Sequence, residues 1–183
     1  MANFPTLETE RLVLRQLRGE DAEDLFHYFA MDEVTRYYDV DSFTEQKQAE
    51  ELINNWQQRF DRSLGYRWGI THKTEDRVIG TCGFHNWTKE HMKSEIGYEL
   101  SPSVWNRGIM TEVLKAVIQF GFEELRLNRI EACIDPANSR SRKLLLRSGF
   151  LEEGLLREYF FEKNQFMDAA IFSLLKKDYL ESR

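Results

Sequence analysis

A chain of 183 residues with 42% hydrophobic and 31% charged side chains has the size and balance of one folded domain, which excludes a disordered polymer. Its net charge of −6, from 25 basic and 31 acidic residues, argues against a general nucleic-acid binder, which carries a basic surface. Cys82 and Cys133 are the only cysteines, each in an apolar stretch, and two make no disulfide framework. The opening Met1 to Thr6 has no apolar signal core, and no run approaches the roughly 20 apolar residues of a membrane span. The expectation is one domain over residues 1–183, cytoplasmic, with free buried thiols and neither a nucleic-acid nor a membrane partner.

In chain order, Arg11 to Leu17 alternates apolar and polar residues and predicts a strand. Glu20 to Met31 places Ala22, Leu25, Phe26 and Phe29 on one face of a helix with an acidic first turn. A second helical region starts at Ser42 to Glu45, with Thr44 as candidate N-cap, and runs through Leu52, Ile53, Trp56 and Phe60 to end before Gly65. Tyr66 to Thr71 and Val78 to Trp87 read as strands joined by the turn Lys73 to Arg77, and Ser94 to Leu100 as a third, stopped by Ser101-Pro102. Then come a helix from about Gly108 to Leu127 and a strand from Arg129 to Ile134. A short helix from Ser139 to Ser148 follows, closed by Gly149 in the C′ role. Gly154 to Phe161 and Met167 to Leu175 form the last strand pair. The predicted class is α/β (α+β), a mixed, mostly antiparallel sheet of about seven strands flanked by about four helices.

Two segments carry chemistry. Ser94 to Glu112 leaves a strand, turns, and opens a helix around Gly108. The first-turn N–H groups of such a helix lack intrahelical partners and carry the positive end of its dipole, a setting for phosphate or pyrophosphate. Gly108 has no Cβ to hold an anion off, and Arg107 and Thr111 are placed to add side-chain contacts. The second segment, Asp135 to Phe150, turns at Asn138 and enters a helix bearing Arg140, Arg142, Lys143 and Arg147, ended by Gly149-Phe150. By itself that basic helix reads as a solvated face.

Together the two segments resemble the GNAT superfamily of acetyltransferases. The first is similar to its pyrophosphate motif, Gln/Arg-x-x-Gly-x-Gly/Ala, and the second to the Asn-x-x-Ser…Gly-Phe element that follows it. The opening Leu7 to Arg15, with Leu127 to Glu131 and Gly149 to Gly154, looks like the RimJ/RimL branch of ribosomal-protein N-terminal acetyltransferases. Departures are specific: Trp105 stands where Gln or Arg is usual, Asn106 where Gly is frequent, and Met110 where Gly or Ala is preferred. Met110 is therefore expected to narrow the cradle. Leu145 occupies the place of the Tyr that protonates the leaving thiolate in many members, and Ser141 is the substitute the branch suggests.

The resemblance implies a sheet splayed between the strands Ser94–Leu100 and Arg129–Ile134, with a bulge as the usual device. Acetyl-CoA would enter that cleft and CoA leave it, with pantetheine along the exposed strand edge. The implied cofactor contacts are Leu100, Arg107, Gly108, Ile109, Met110, Thr111, Asn138, Ser141, Arg142 and Lys143; Asn138 either bonds the pantetheine or caps its helix. A backbone N–H near Leu100 or Ser101 would meet the oxyanion. Period-two geometry sets Glu95, Gly97 and Glu99 on one face and Ile96, Tyr98 and Leu100 on the other. Glu95 is the first candidate base, Glu99 the second and Glu158 a weaker third, against the alternative that both strand glutamates face solvent. His27, His72, His85 and His91 lack metal-ligand spacing, so no metal is expected and each reads as a core or surface histidine. Of the aromatics only Tyr37-Tyr38 stands apart from packing as a cleft candidate. The implied acceptor is a protein N-terminal amine; a small amine met by acidic residues such as Asp39 and Asp41, or a non-catalytic acyl-CoA-binding module, are the alternatives. A homodimer is common in the branch.

Overall fold

The computed structural model describes residues 3–181. Met1 and Ala2, which begin the segment read above as lacking a signal core, lie outside the described residues. The eight-stranded sheet has the order β1-β2-β3-β4-β5-β6-β8-β7. Its elements are β1 (Leu7–Glu8), β2 (Leu12–Gln16), α1 (Ala22–Phe29), α2 (Asp32–Thr35), α3 (Gln46–Asp61), β3 (Tyr66–His72), β4 (Glu75–Thr88), β5 (Lys93–Leu100), α4 (Ile109–Glu123), β6 (Arg129–Ile134), α5 (Ser139–Arg147), β7 (Leu151–Glu162), β8 (Gln165–Leu175) and α6 (Lys176–Glu181). The strand beyond the seven expected is the two-residue β1, too short to show a period. The additional helices are the single turn α2 and the terminal α6.

Every pairing is antiparallel except β5 with β6, which is parallel. That exception makes the cleft. Lys93, Ser94 and Glu95 partner Arg129, Ile130 and Glu131, and the ladder then stops. On its other side β5 stays paired with β4 from Glu95 opposite His85 to Leu100 opposite Gly80. The splay therefore arises without a bulge in the β5–β6 pair. The nearby register shift lies in β4, between His85 and Thr88, where Asn86 takes a left-handed φ of 49°.

Two apolar clusters hold helices to this sheet. The larger joins Val113, Leu114, Val117 and Ile118 of α4 and Leu145 of α5 to Trp68, Phe84, Ile96 and Ile130. The smaller joins Leu25, Phe29 and Ile53 of α1 and α3 to Leu17 and Val78. Helix α3 begins at Glu45, not Thr44, through a capping box with Gln48, whose side chain accepts from both the Thr44 and Glu45 N–H groups. Helix α5 ends as expected: Gly149 has φ 89°, the Phe150 N–H bonds Leu145 O at 3.0 Å and the Gly149 N–H bonds Leu146 O at 3.2 Å, the Schellman pattern.

Gly83 sits where β3 and β4 press closest: a Cβ there would collide with the Tyr66 carbonyl and come 2.8 Å from Arg67 Cα. Both obstacles are backbone. Gly83→Ala is expected to lower stability by about 1–3 kcal/mol, the usual cost of overpacking, measured by urea unfolding with circular dichroism.

Candidate active site

Helix α4 opens at Gly108, whose φ of 72° is the left-handed conformation that glycine adopts without strain. The first helical bond runs from Glu112 N–H to Gly108 O at 3.1 Å, so the N–H groups of Ile109, Met110 and Thr111 have no intrahelical acceptor. Ile109 and Met110 are buried in the larger core cluster. The Met110 side chain, expected to narrow the cradle, turns inward to the core, leaving its backbone at the helix start. Arg107 and Thr111 are exposed. Sequence reasoning missed Arg11: its Nε donates to Glu112 Oε2 at 2.7 Å, its Nη1 donates to Arg107 O at 3.2 Å, and its Nη2 lies 3.8 Å from where a Gly108 Cβ would be. No local pattern signals a residue 97 positions away from the helix it serves.

β5 borders the opening with its own backbone. The Ser101 N–H donates to Ile79 O at 2.8 Å and is thereby committed to β4. Antiparallel alternation then turns the N–H groups of Tyr98 and Leu100 to the open side. Of the two oxyanion donors expected, only Leu100 is free of β4; its carbonyl accepts from Trp105 Nε1 at 2.9 Å. Trp105 also carries the Arg140 guanidinium over its ring at 4.5 Å, tying the loop before α4 to α5.

On the α4–α5 side, the Ser141 and Tyr98 hydroxyls are 2.7 Å apart. Ser141 is 8% exposed. Burial holds the Tyr98 phenol well above its ordinary range, against the opposing hydrogen bond with Ser141. Asn138 takes the capping role, its Oδ1 accepting from the Ser141 N–H at 3.1 Å. Leu145, where many GNAT members carry Tyr, is fully buried in the core. Arg142 is paired with Glu152 at 2.8 Å and Lys143 is exposed.

On the other face, the alternation of Glu95, Gly97 and Glu99 holds but the solvent-facing alternative fails for Glu99. Its carboxylate is 8% exposed and pairs with Arg67, also 8% exposed. Glu99 also accepts from Tyr28 at 3.2 Å, Tyr38 at 3.0 Å and Thr81 at 2.5 Å. Arg67 Nε donates to Thr81 at 2.6 Å, and its guanidinium lies 4.8 Å above Trp56. Tyr38, set apart from packing in the sequence, is thus a structural ligand of this pair, whereas Tyr37 is exposed. Glu95 is held differently: Oε1 is 3.4 Å from His85 Nε2 and Oε2 accepts from Asn86 at 3.0 Å. Burial penalises its charge, but His85, Asn86 and the Cys133 N–H outweigh that and lower its pKa. Cys133, on β6 across the opening, has its thiol pushed up to about 12 by burial and Glu95.

Glu158 is exposed at a left-handed residue in β7, its N–H bonded to Asp168 at 2.8 Å. Asp41 lines a depression of about 690 Å³ with Asp32, Glu33 and Lys163, none of which belongs to the splay. Asp39 acts instead on Glu162, whose carboxyl is raised by burial first and then by Asp39 and Asp135. No group of residues with metal-ligand geometry occurs among the described residues.

A family model described as the acetyltransferase (GNAT) domain matches residues 11–151. The chain belongs to the GNAT acetyltransferases. Among curated relatives it is 40% identical to the uncharacterised N-acetyltransferase YoaA of Bacillus subtilis (strain 168), over 94% of this chain and 98% of that one. It is 26% identical to [ribosomal protein uS5]-alanine N-acetyltransferase of Escherichia coli (strain K12), over 97% and 94%. The fold superposes on a GNAT-family acetyltransferase from Bacillus anthracis with TM-score 0.84 at 24% identity, over 94% and 99%. This GNAT chain is an N-acetyltransferase with the mixed α/β sheet of its family.

The buried Arg67–Glu99 pair yields a prediction. Arg67→Met leaves an uncompensated buried carboxylate and is expected to cost about 3–5 kcal/mol. Arg67→Met with Glu99→Leu should recover much of that loss, since no charge is left stranded. Urea unfolding of the two single variants and the double variant closes the cycle.

Proposed function

We propose that this chain transfers the acetyl group of acetyl-CoA directly to a protein N-terminal amine of the ribosomal-protein type. The observation that carries the cofactor assignment is the free edge of β5, which loses β6 after Glu95 and leads to the uncapped N–H groups at Gly108. These residues fit CoA: the helix N-terminus suits its pyrophosphate and the Tyr98 and Leu100 backbone its amide-bearing arm. Arg11, Arg107 and Thr111 flank the pyrophosphate position; Lys143, with Arg142 shared by Glu152, flanks the adenosine end. Acetyl-CoA supplies the electrophilic thioester carbon. The Leu100 N–H donates to the oxygen that gains charge during transfer.

The two faces of β5 divide the work. The Ser141 hydroxyl, backed by Tyr98, gives the leaving sulfur a hydrogen bond; a thiolate whose thiol has an ordinary pKa near about 8.5 needs only that modest help. The amine loses its proton on the opposite face, where Glu95 stands. Glu99 has no such part, because Arg67 and three hydroxyls occupy its oxygens. Kinship over nearly the whole chain with an enzyme that acetylates uS5 supports the peptide acceptor. A cytoplasmic location belongs to the same proposal, supported by the free thiols Cys82 and Cys133. The second reading, a small cationic amine, is favoured by Glu162 with Asp39 and Asp135 close enough to act on it.

Calorimetric titration with acetyl-CoA, followed by thiol release with peptides bearing free N-terminal alanine or serine and with spermidine, tests the proposal. Peptide turnover supports it, and turnover of spermidine alone promotes the second reading. Gly108→Val, which must force φ 72° on a β-branched residue, is expected to weaken acetyl-CoA binding at least about tenfold, the equivalent of roughly 1.4 kcal/mol. Ser141→Ala should lower kcat about 100-fold, the lower end of the effect of losing one hydrogen-bond donor to developing charge, while the acetyl-CoA Kd stays nearly unchanged.

A further inference from the structure

His85 read as an ordinary histidine in the sequence, yet the fold puts it at the vertex of the splay. It is the β4 residue directly opposite Glu95, the last β5 residue paired with β6. Cross-strand partners share a face, so the imidazole stands on the side of Glu95, Gly97 and Glu99, away from Ser141. Its Nε2 faces Glu95 Oε1 at 3.4 Å. The rest of the ring is turned to Gly97: a Cβ there would lie 3.2 Å from His85 Cε1, 3.5 Å from Nδ1 and 3.1 Å from Arg67 Nη1. The missing side chain at Gly97 thus lets the imidazole edge and the Arg67 guanidinium lie close over the backbone of β5, on the strand that is free of β6 after Glu95. His85 is partly exposed (side chain 35%) and Glu95 is more enclosed (17%).

We propose that His85 is the general base of the acetyl transfer, receiving the amine proton at Nδ1, and that Glu95 is a positioning residue that fixes the imidazole through Nε2. The carboxylate is poorly placed to act alone. Its oxygens face His85 and Asn86, it accepts the Cys133 N–H across the opening, and these donors keep its affinity for a proton low. An imidazole exchanges protons near neutral pH, where an amine must be deprotonated. The groups facing His85 are Glu95 and the Gly97 backbone on β5, Arg67 on β3, whose charge Glu99 balances, and, through Glu95, Asn86 on β4 and Cys133 on β6. The Asn86 bulge directly after His85 fits a strand bent to aim this side chain.

The step balances without another reactant. His85 Nδ1 takes one proton from the ammonium, and the freed amine nitrogen forms its bond to the thioester carbon. The carbon–sulfur bond breaks with its electron pair on sulfur, which leaves as a thiolate hydrogen-bonded by Ser141. The second proton of the acylated nitrogen passes to that thiolate through water. The base and the hydrogen-bond donor to sulfur thus lie on opposite faces of β5, with the reacting carbon at its free edge between them.

This inference rests on acetyl transfer to an amine and not on which amine is used. His85→Gln is expected to lower kcat/KM at pH 7 about 100-fold or more, with the acetyl-CoA Kd within twofold. The deficit should shrink as pH rises past the acceptor's own pKa, about 8 for an α-amino group, because a neutral amine needs no base. Glu95→Gln should lose about tenfold, less than His85→Gln. Gly97→Ala, whose Cβ would crowd the imidazole edge and shift it, should lower kcat with acetyl-CoA binding intact. ¹⁵N NMR of the imidazole reads the dyad with no acceptor present, and the Nε2–H tautomer is expected. Full activity in His85→Gln, a larger loss in Glu95→Gln than in His85→Gln, a deficit independent of pH, or a neutral Nδ1–H tautomer would each overturn it. A chain that binds acetyl-CoA yet acetylates no amine tried would instead count against the proposed acceptor, and the tautomer would still decide the dyad.

Discussion

β5 is held on one side only over the half that matters. After Glu95 its ladder with β6 ends, and what fixes it thereafter is β4 and the buried ion pair between Glu99 and Arg67. Two charges at 8% exposure are tolerated only because each is matched: Arg67 by Glu99, Thr81 and Tyr38, and Glu99 by Tyr28 as well. A buried pair of this kind is a poor source of net stability. It does, however, dictate arrangement, since any other register would leave a charge without its partner. The same cluster draws in α1 through Tyr28, the loop after α2 through Tyr38 and α3 through Trp56, so the helical layer on that face is placed against β5.

From that constraint the two sides of the opening acquire different chemistry. One face of β5 meets α1 and α3 with carboxylates, a guanidinium and an imidazole. The other meets α4 and α5 with Ile96 in the core and Tyr98 against Ser141. The proposed proton removal and the proposed hydrogen bond to the leaving sulfur would then lie the width of a strand apart. Between them lie the unpaired N–H groups of β5 and the open N-terminus of α4, backbone donors that substitution of side chains leaves in place. Of the residues that depart from the family motif, Met110 is absorbed by the core and Trp105 ties the loop to α5 through Arg140.

Much was legible in the chain itself. The alternation in Ser94–Leu100 sorted its two faces correctly, the strand–turn–helix around Gly108 marked where α4 opens, and Gly149-Phe150 announced the end of α5. Each signal is local, carried by residues within a few positions of one another, where backbone preference and hydrophobic period act directly. The same locality explains the misplacements. Thr44 and Glu45 compete for one cap, and Gln48, three residues beyond Glu45, decides between them. A strand of two residues has no period to read.

Tertiary structure alone decided which polar groups are partners. Glu99 looked equivalent to Glu95 in the sequence, and nothing near it revealed Arg67, 32 residues earlier, as its counter-ion. Arg11 reaches Gly108 and Glu112 from the opposite end of the domain, and His85 became a neighbour of Glu95 through the β4–β5 register. The sequence by itself determined the longer elements, their order and the glycine-opened helix, because those depend on short-range conformational preference. The depth at which each charge sits, the partner it keeps and the face it serves came only with packing, because the burial of a charge depends on residues distant in the chain and close in space.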